Sequence, residues 1–431
     1  MKITRREYLT LALATSCYAA LPAVAEETPA LPSTGAKVAE LASFDDWMWK
    51  FLQDNSVPGG QLAIARGDKL LYSRGFGYAD RELKEPVEPT SLFRIASISK
   101  SITAVAILKL VERGELQLSD TIDGLLKIEP HLAADTKADA RWPEITVAHC
   151  LMHTAGWDRD ASFDPMFHQV PTAAALGVKL PIGTAELIRF MRGQPLDFAP
   201  GEHYAYSNFG YCLLGRVIEK QTGQTYETFV REQILAPLGI TAPIMGKSLA
   251  DERAKGEVKY YTFGDRQAMP IVGPRAGDPE AKVPISYGGW QQEALDSHGG
   301  WIASAADLVR FAGALDEAAD STTKPLLSPA TIKEMFAPHA IIRAADKAGR
   351  GQIAYGYGWV LGTEDHDLAK PIRAHGGALP CTAASLVKLH DGLQLAVLFN
   401  LGQNKGGKFL GAGLDGQLIA LARRVDFTQL K

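Results

Sequence analysis

The segment FRIASISKSITAVAILKL, Phe93 to Leu110, places Ser97 three residues before Lys100 at the mouth of a run that is otherwise nearly all apolar. An unpaired buried ammonium is costly, so a lysine held there calls for a chemical reason. A serine hydroxyl is a weak nucleophile at neutral pH, and an amine one helical turn away can take its proton once burial has lowered the amine's pKa. The expected chemistry is acyl transfer, with Ser97 as nucleophile and Lys100 as proton acceptor. Amides at the helix start would help to stabilise the charge that develops during attack. The bland alternative makes Ser97 or Ser99 a helix cap and Lys100 a snorkelling surface residue.

Ser-x-x-Lys alone carries little weight, because the chain contains it three times. Ser321 to Lys324 lies in a polar stretch before Pro325 and reads as a surface connection. Ser385 to Lys388 lies in an alternating strand, where positions three apart face opposite sides. Only Ser97 and Lys100 stand where a helix brings positions three apart onto one face.

Two further groupings can serve such a pair. In FAPGEHYAYSNFGYCLLGRVIEK, Tyr206 and Asn208 would point the same way in an extended segment, offering a phenol for proton relay and an amide able to hold a carbonyl. Packing by Tyr206 and helix capping by Asn208 is the alternative. In RAHGGALP, Gly376 and Gly377 allow a strand to approach a ligand with open backbone. The amide of Ala378 is a candidate oxyanion donor, and His375 is expected at the cleft edge. A surface histidine before a glycine bend is the alternative there.

Taken in order, these three elements resemble the signature of the serine beta-lactamase and penicillin-binding-protein superfamily: a Ser-x-x-Lys box, a Tyr-x-Asn box and a Lys/His-x-Gly box. More narrowly the chain resembles the class C beta-lactamase-like group, which includes esterases and D-amino-acid peptidases. LMHTAGW at Leu151 to Trp157, ILAPLGI at Ile234 to Ile240 and HGGWIASAADLVRF at His298 to Phe311 extend the likeness over about Leu41 to Ala422. The resemblance implies Ser97 as the acylated nucleophile, Lys100 and Tyr206 as its proton network, and an oxyanion hole from the backbone amides of Ser97 and Ala378. It implies substrate contacts from Asn208, His375 and Gly377. Two departures stand out: His375 replaces the lysine usual in penicillin-recognising members, and Cys381 follows Pro380 where many relatives have glycine. Both favour small esters or amides over antibiotics, with a true beta-lactamase, a D-Ala-D-Ala carboxypeptidase or a catalytically silent binding module on the same fold as alternatives.

These residues must be positioned by recognisable elements. GQLAIARGDKLLYSRGFGY, Gly60 to Tyr78, reads as two strands about a turn at Gly67-Asp68. The segment from Ser99 to Arg113 reads as a buried helix with Gly114 at its C-cap. AELIRFMR and GYCLLGRVIEKQTG carry helical patterns, the region from 250 to 295 reads as a long loop or lid, His390 to Gly392 as a hairpin turn, and GLDGQLIALARRV as a closing helix. The expected class is α+β: an antiparallel sheet flanked by helices, with an inserted mostly helical domain. The expected division is a signal peptide at 1–25, a sheet domain from 40–115 plus 296–428, and the helical domain with its lid from 116–295.

The chain has 431 residues, 46% of them hydrophobic, enough to bury a substantial core. A net charge of -4 without a dense basic block argues against nucleic acid as partner. MKITRREYLTLALATSCYAALPAVAEETP combines a basic start, an apolar run and Ala23-Val24-Ala25, which predicts export and cleavage after Ala25. Arg5-Arg6 followed by Tyr8 and Leu9 suggests the twin-arginine route, and hence a periplasmic or secreted protein. No anchor is expected in the mature form. Its three cysteines, Cys150, Cys212 and Cys381, are too few and too scattered for a disulfide scaffold. His149 and His153, four apart, lack a third ligand, so neither metal nor cofactor is expected. The implied partner is a small ester, amide or short peptide.

Overall fold

Period-two alternation of large and small apolar residues builds the centre of the molecule. The computed structural model describes residues 31–134, 136–316, 326–347, 351–364 and 367–430. The leader and the Ser321 to Lys324 segment therefore lie outside the described residues. The principal sheet contains β1 (Ser33–Thr34), β2 (Gly59–Arg66), β3 (Lys69–Asp80), β4 (Ala340–Arg343), β5 (Ile353–Tyr355), β6 (Val360–Glu364), β7 (Asp367–Leu379), β8 (Thr382–Leu389) and β9 (Leu393–Phe399). Their order is β1-β3-β2-β9-β8-β7-β6-β5-β4, and every pairing is antiparallel. First and last parts of the chain meet at β2 and β9, where Ala63 pairs with Ala396.

The longest helices are α1 (Ala42–Asn55), α2 (Ser99–Glu112), α3 (Thr184–Arg192), α4 (Asn208–Thr222), α5 (Ala305–Gly313) and α6 (Leu414–Ala422); α1, α5 and α6 pack directly on the sheet strands, whereas α3 and α4 belong to the helical segment. Leu62 and Ile64 of β2, with Leu395, Val397 and Phe399 of β9, share one core with Phe44, Met48 and Phe51 of α1 and with Leu414 and Leu418 of α6. The alternate residues Ala63, Ala65, Ala384 and Ala396 face the other core, beside α2 and α5. Small side chains on that face let helices approach the strands closely. This second core continues without a break into the helical segment, through Trp142, Trp157, Phe209 and Leu213.

Helix α2 is buried nearly all round, from Ser99 to Leu108 without interruption. It ends at Glu112, and Gly114 takes the left-handed φ of 70° that releases the chain from the helix. Both hairpins form as expected, turning at Gly67 and Gly392, each with positive φ. Between 250 and 295 the only strands are two-residue pieces, Gln267–Ala268 paired with Val283–Pro284. That segment is fastened by Arg94, whose buried guanidinium donates to the carbonyls of Ser286 and Lys247, both at 2.8 Å, and lies 4.4 Å over the Tyr260 ring.

Candidate active site

The first box sits on a strained turn. Between the short strand Phe93–Arg94 and α2, Ala96 adopts a φ of 46°, a conformation that costs a side-chain-bearing residue about 1–2 kcal/mol. The turn leaves Ser97 as the one residue from Ser91 to Lys100 that is not buried. No side chain caps α2, and the Ser99 hydroxyl is buried without a partner, so neither serine acts as the cap. A cavity of about 490 Å³ opens at this point. Ala96, Ser97, Asn208 and Ala378 line it together with Arg159 and Asp164, while Ile285, Trp290, Leu295, Leu379 and Phe409 give it an apolar wall.

Lys100, the second residue of α2, is fully buried, its Nζ 3.1 Å from Ser97 Oγ. Nζ also donates to Asn208 Oδ1 at 2.7 Å and to the His298 carbonyl at 2.9 Å. Two N–H groups are thereby committed to oxygens that can only accept, and the third position of the nitrogen faces the serine. Burial drives the Lys100 pKa well below its ordinary value, opposed by Asp164 and assisted by Arg159. A neutral Lys100 in this setting has its lone pair toward Ser97 and can accept the hydroxyl proton.

Tyr206 and Asn208 come from the start of α4. Ser207, between them, is the actual cap, its hydroxyl accepting from Gly210 N. Asn208 opens the helix, and both ends of its carboxamide are engaged within the protein: Oδ1 by Lys100 and Nδ2 by donation to Asp164 Oδ2 at 2.6 Å. Tyr206 stands beside Ser97, and Lys100 Nζ lies 4.8 Å from its ring centroid. Burial raises the phenol pKa, while the neighbouring Ser97 hydroxyl and the charge of Arg159, 4.7 Å over the ring, pull it down. His153 packs 4.4 Å from the Tyr206 ring and accepts from Ser207 N through Nδ1, which fixes the backbone beside the phenol.

The third box is carried by β7. Gly377 lies so close to the chain before Ser97 that a Cβ there would meet the Ile95 carbonyl oxygen at 2.1 Å. This contact lays the strand against the nucleophile turn, and Ala378 next to it lines the same cavity as Ser97. Gly376 has no comparable constraint, its nearest neighbour being the Ala384 carbonyl at 3.7 Å. His375 is only 4% exposed and does not line the cavity. Its Nδ1 donates to the Gly376 carbonyl at 2.8 Å, so Nε2 accepts from the Tyr355 hydroxyl at 3.0 Å. Burial and the Lys100 charge bring its pKa down to about 3.

Other sequence candidates sit elsewhere. Ser385 and Lys388 are both buried in β8, outside the cavity lining, with Lys388 3.6 Å from Asp316. His149 closes a capping box with Thr146, and among the described residues no group of three or more His, Cys, Asp or Glu side chains is arranged to hold a metal. Cys381 packs 3.8 Å from Arg94 rather than at the cavity, and Cys150, Cys212 and Cys381 are all free and buried. Asp164, Arg159 and the Tyr355 partner of His375 escaped sequence reading. Asp164 and Arg159 lie on connecting segments and Tyr355 ends the short strand β5; no spacing rule marks any of them, and only folding shows what they touch.

The fold and site together define a serine acyl-transfer enzyme. The family model described as Beta-lactamase matches residues 44–415, and the chain belongs to that family. It is similar to esterase EstB of Burkholderia gladioli, at 29% identity over 76% of this chain and 81% of the relative. It is also similar to penicillin-binding protein 4* of Bacillus subtilis (strain 168), at 27% identity over 77% of this chain and 65% of the relative. Among solved structures, an octameric penicillin-binding protein homologue from Pyrococcus abyssi shares the fold with a TM-score of 0.66 and 24% identity, covering 90% of this chain and 78% of that one. A D-amino acid amidase from Ochrobactrum anthropi SV3 does so at 0.63 and 22%, covering 88% and 98%. The α+β class expected from the sequence is the observed one, and the protein is a serine hydrolase.

Proposed function

We propose that this enzyme hydrolyses small esters or compact amides through an acyl-enzyme on Ser97. The observation that carries this reading is the hydrogen bonding of Lys100, two N–H groups held by Asn208 and His298 and the remaining position 3.1 Å from Ser97 Oγ. Lys100 takes the hydroxyl proton as Ser97 attacks the carbonyl carbon. The amides of Ser97 and Ala378 receive the oxyanion, and Tyr206 passes a proton to the departing alcohol or amine. Water then attacks the acyl carbon, giving up its proton to the Lys100–Tyr206 pair, which returns a proton to Ser97 Oγ as the acyl C–O bond breaks and the acid leaves.

The substrate preference rests on charge. His375, neutral and turned toward Tyr355, supplies no cation for a substrate carboxylate. The apolar wall of Ile285, Trp290 and Phe409 suits an uncharged acyl or alcohol group. A second reading, a peptidase or beta-lactamase for carboxylate-bearing substrates, draws on Arg159, the one Lys or Arg among the described residues that line the cavity. Esterase and amidase relatives support the first. We further propose export by the twin-arginine route with cleavage after Ala25, on the strength of Arg5-Arg6 and Ala23-Val24-Ala25.

Intact mass after incubation with a fluorophosphonate tests the mechanism: one adduct on Ser97, absent from Ser97→Ala, is expected. An adduct elsewhere overturns it. Relative kcat/KM for p-nitrophenyl butyrate, D-alanyl p-nitroanilide, a D-Ala-D-Ala peptide and nitrocefin tests the substrate reading. A nitrocefin or D-Ala-D-Ala value well above the others would replace the first reading by the second.

A further inference from the structure

Asn208 poses a problem of orientation. The two ends of a carboxamide have nearly the same shape and opposite hydrogen-bond character. With Oδ1 toward Lys100, the lysine gains an acceptor. With the amide turned over, an NH₂ group would face the lysine N–H groups, and Lys100 would be free to swing its lone pair away from Ser97. Something must select the first arrangement.

Asp164 stands where it can. Its Oδ2 accepts from Asn208 Nδ2 at 2.6 Å, and its Oδ1 accepts from Met166 N at 3.1 Å. The second bond caps the short 3₁₀ turn Pro165–Phe167 and holds the carboxylate from its own side. An ionised carboxylate offers acceptors only, so it tolerates the NH₂ end of Asn208 and rejects the oxygen end. The chain of contacts runs Met166 N, Asp164, Asn208, Lys100, Ser97, joining a loop of the helical segment to the nucleophile.

We propose that Asp164 is a positioning residue for acylation, locking the Asn208 carboxamide so that Lys100 presents its free position to Ser97. Asn208 then serves the lysine rather than the substrate. The inference rests on the acyl-enzyme reading and adds to it a residue that touches no reacting atom. The charged and titratable groups around Lys100 are Tyr206 and Tyr211, whose rings lie 4.8 and 5.8 Å from Nζ, with Asp164, Arg159, His153, His298 and His375. Burial keeps the three imidazoles neutral near pH 7. Asp164 is thus the carboxylate that favours the charged lysine, and its removal moves deprotonation of Lys100 to lower pH.

The test is the rate of Ser97 labelling by a fluorophosphonate, followed across pH for wild type, Asp164→Asn, Asn208→Ala and the double variant. Asp164→Asn is expected to be labelled about tenfold more slowly near pH 8, the scale of one hydrogen bond to a charged group. Its acid limb should move to lower pH, a change that mere loosening of the loop would not give. The double variant should be no slower than Asn208→Ala alone, because both changes act on one link. An unchanged rate and pH profile in Asp164→Asn, or losses that multiply in the double variant, would overturn the proposal. Thermal unfolding monitors folding; if Asp164→Asn does not fold, Asp164→Ser, able to keep the Met166 cap but too short for Asn208, carries the same expectations. Failure to label Ser97 in the wild type would instead sink the acyl-enzyme reading.

Discussion

Gly377 lies against the Ile95 carbonyl so closely that even a methyl group would stand 2.1 Å from its oxygen. Two boxes separated by most of the chain are held together at this contact, and it sets the distance between the Ser97 and Ala378 amides. Gly377→Ala should therefore push β7 away from the nucleophile turn. The expected loss in kcat/KM is on the order of 10²-fold, the scale for losing one oxyanion donor. Gly376→Ala, with room around it, should lose far less, and equal losses would place the oxyanion hole elsewhere.

The proton network predicts a graded series. Ser97→Ala should abolish turnover, and Lys100→Ala and Tyr206→Phe should each lose on the order of 10²-fold or more in kcat. Single-turnover kinetics on an activated ester would show which step slows. Accumulation of acyl-enzyme in Tyr206→Phe would assign the phenol chiefly to deacylation, whereas slow acylation would assign it to the first step.

His375 makes stability depend on pH in a defined direction. Its pKa is about 3 in the folded protein against 6.5 ordinarily, so between these values the unfolded chain carries a proton that the folded protein lacks. Stability is full above pH 6.5 and falls as pH drops toward 3, by about 1.4 kcal/mol per pH unit from this group. His375→Gln should flatten the acid side of a stability-versus-pH curve by one proton's worth. Urea unfolding at a series of pH values measures it; an unaltered slope would mean that the imidazole titrates normally.

Arg159 separates the two substrate readings. Its side chain is 42% exposed, and its Nε lies 4.0 Å from Asp160, a loose pair in which the guanidinium fork is not consumed. Arg159→Ala should leave kcat/KM for neutral esters within about threefold, since an exposed charge contributes little to uncharged ligands. A selective drop of about tenfold or more for carboxylate-bearing substrates would show that this cation recognises them.

Much of this protein was legible in the sequence because local rules governed it. Ser97 and Lys100 must share a face once a helix begins between them, and the alternation around Gly67 and Gly392 dictates two hairpins. The unbroken apolar run after Lys100 foretells a helix buried on every side. Glycine at 377 points to close backbone approach, though not to Ile95 as the neighbour. The tertiary structure decided what no spacing encodes. It turned His375 inward onto Tyr355, gave the cap of α4 to Ser207, and spent both ends of the Asn208 amide on Lys100 and Asp164. Periodicity tells a residue which side of its element it occupies; the partner on that side belongs to a distant segment, and burial by that partner sets whether a lysine or histidine is charged.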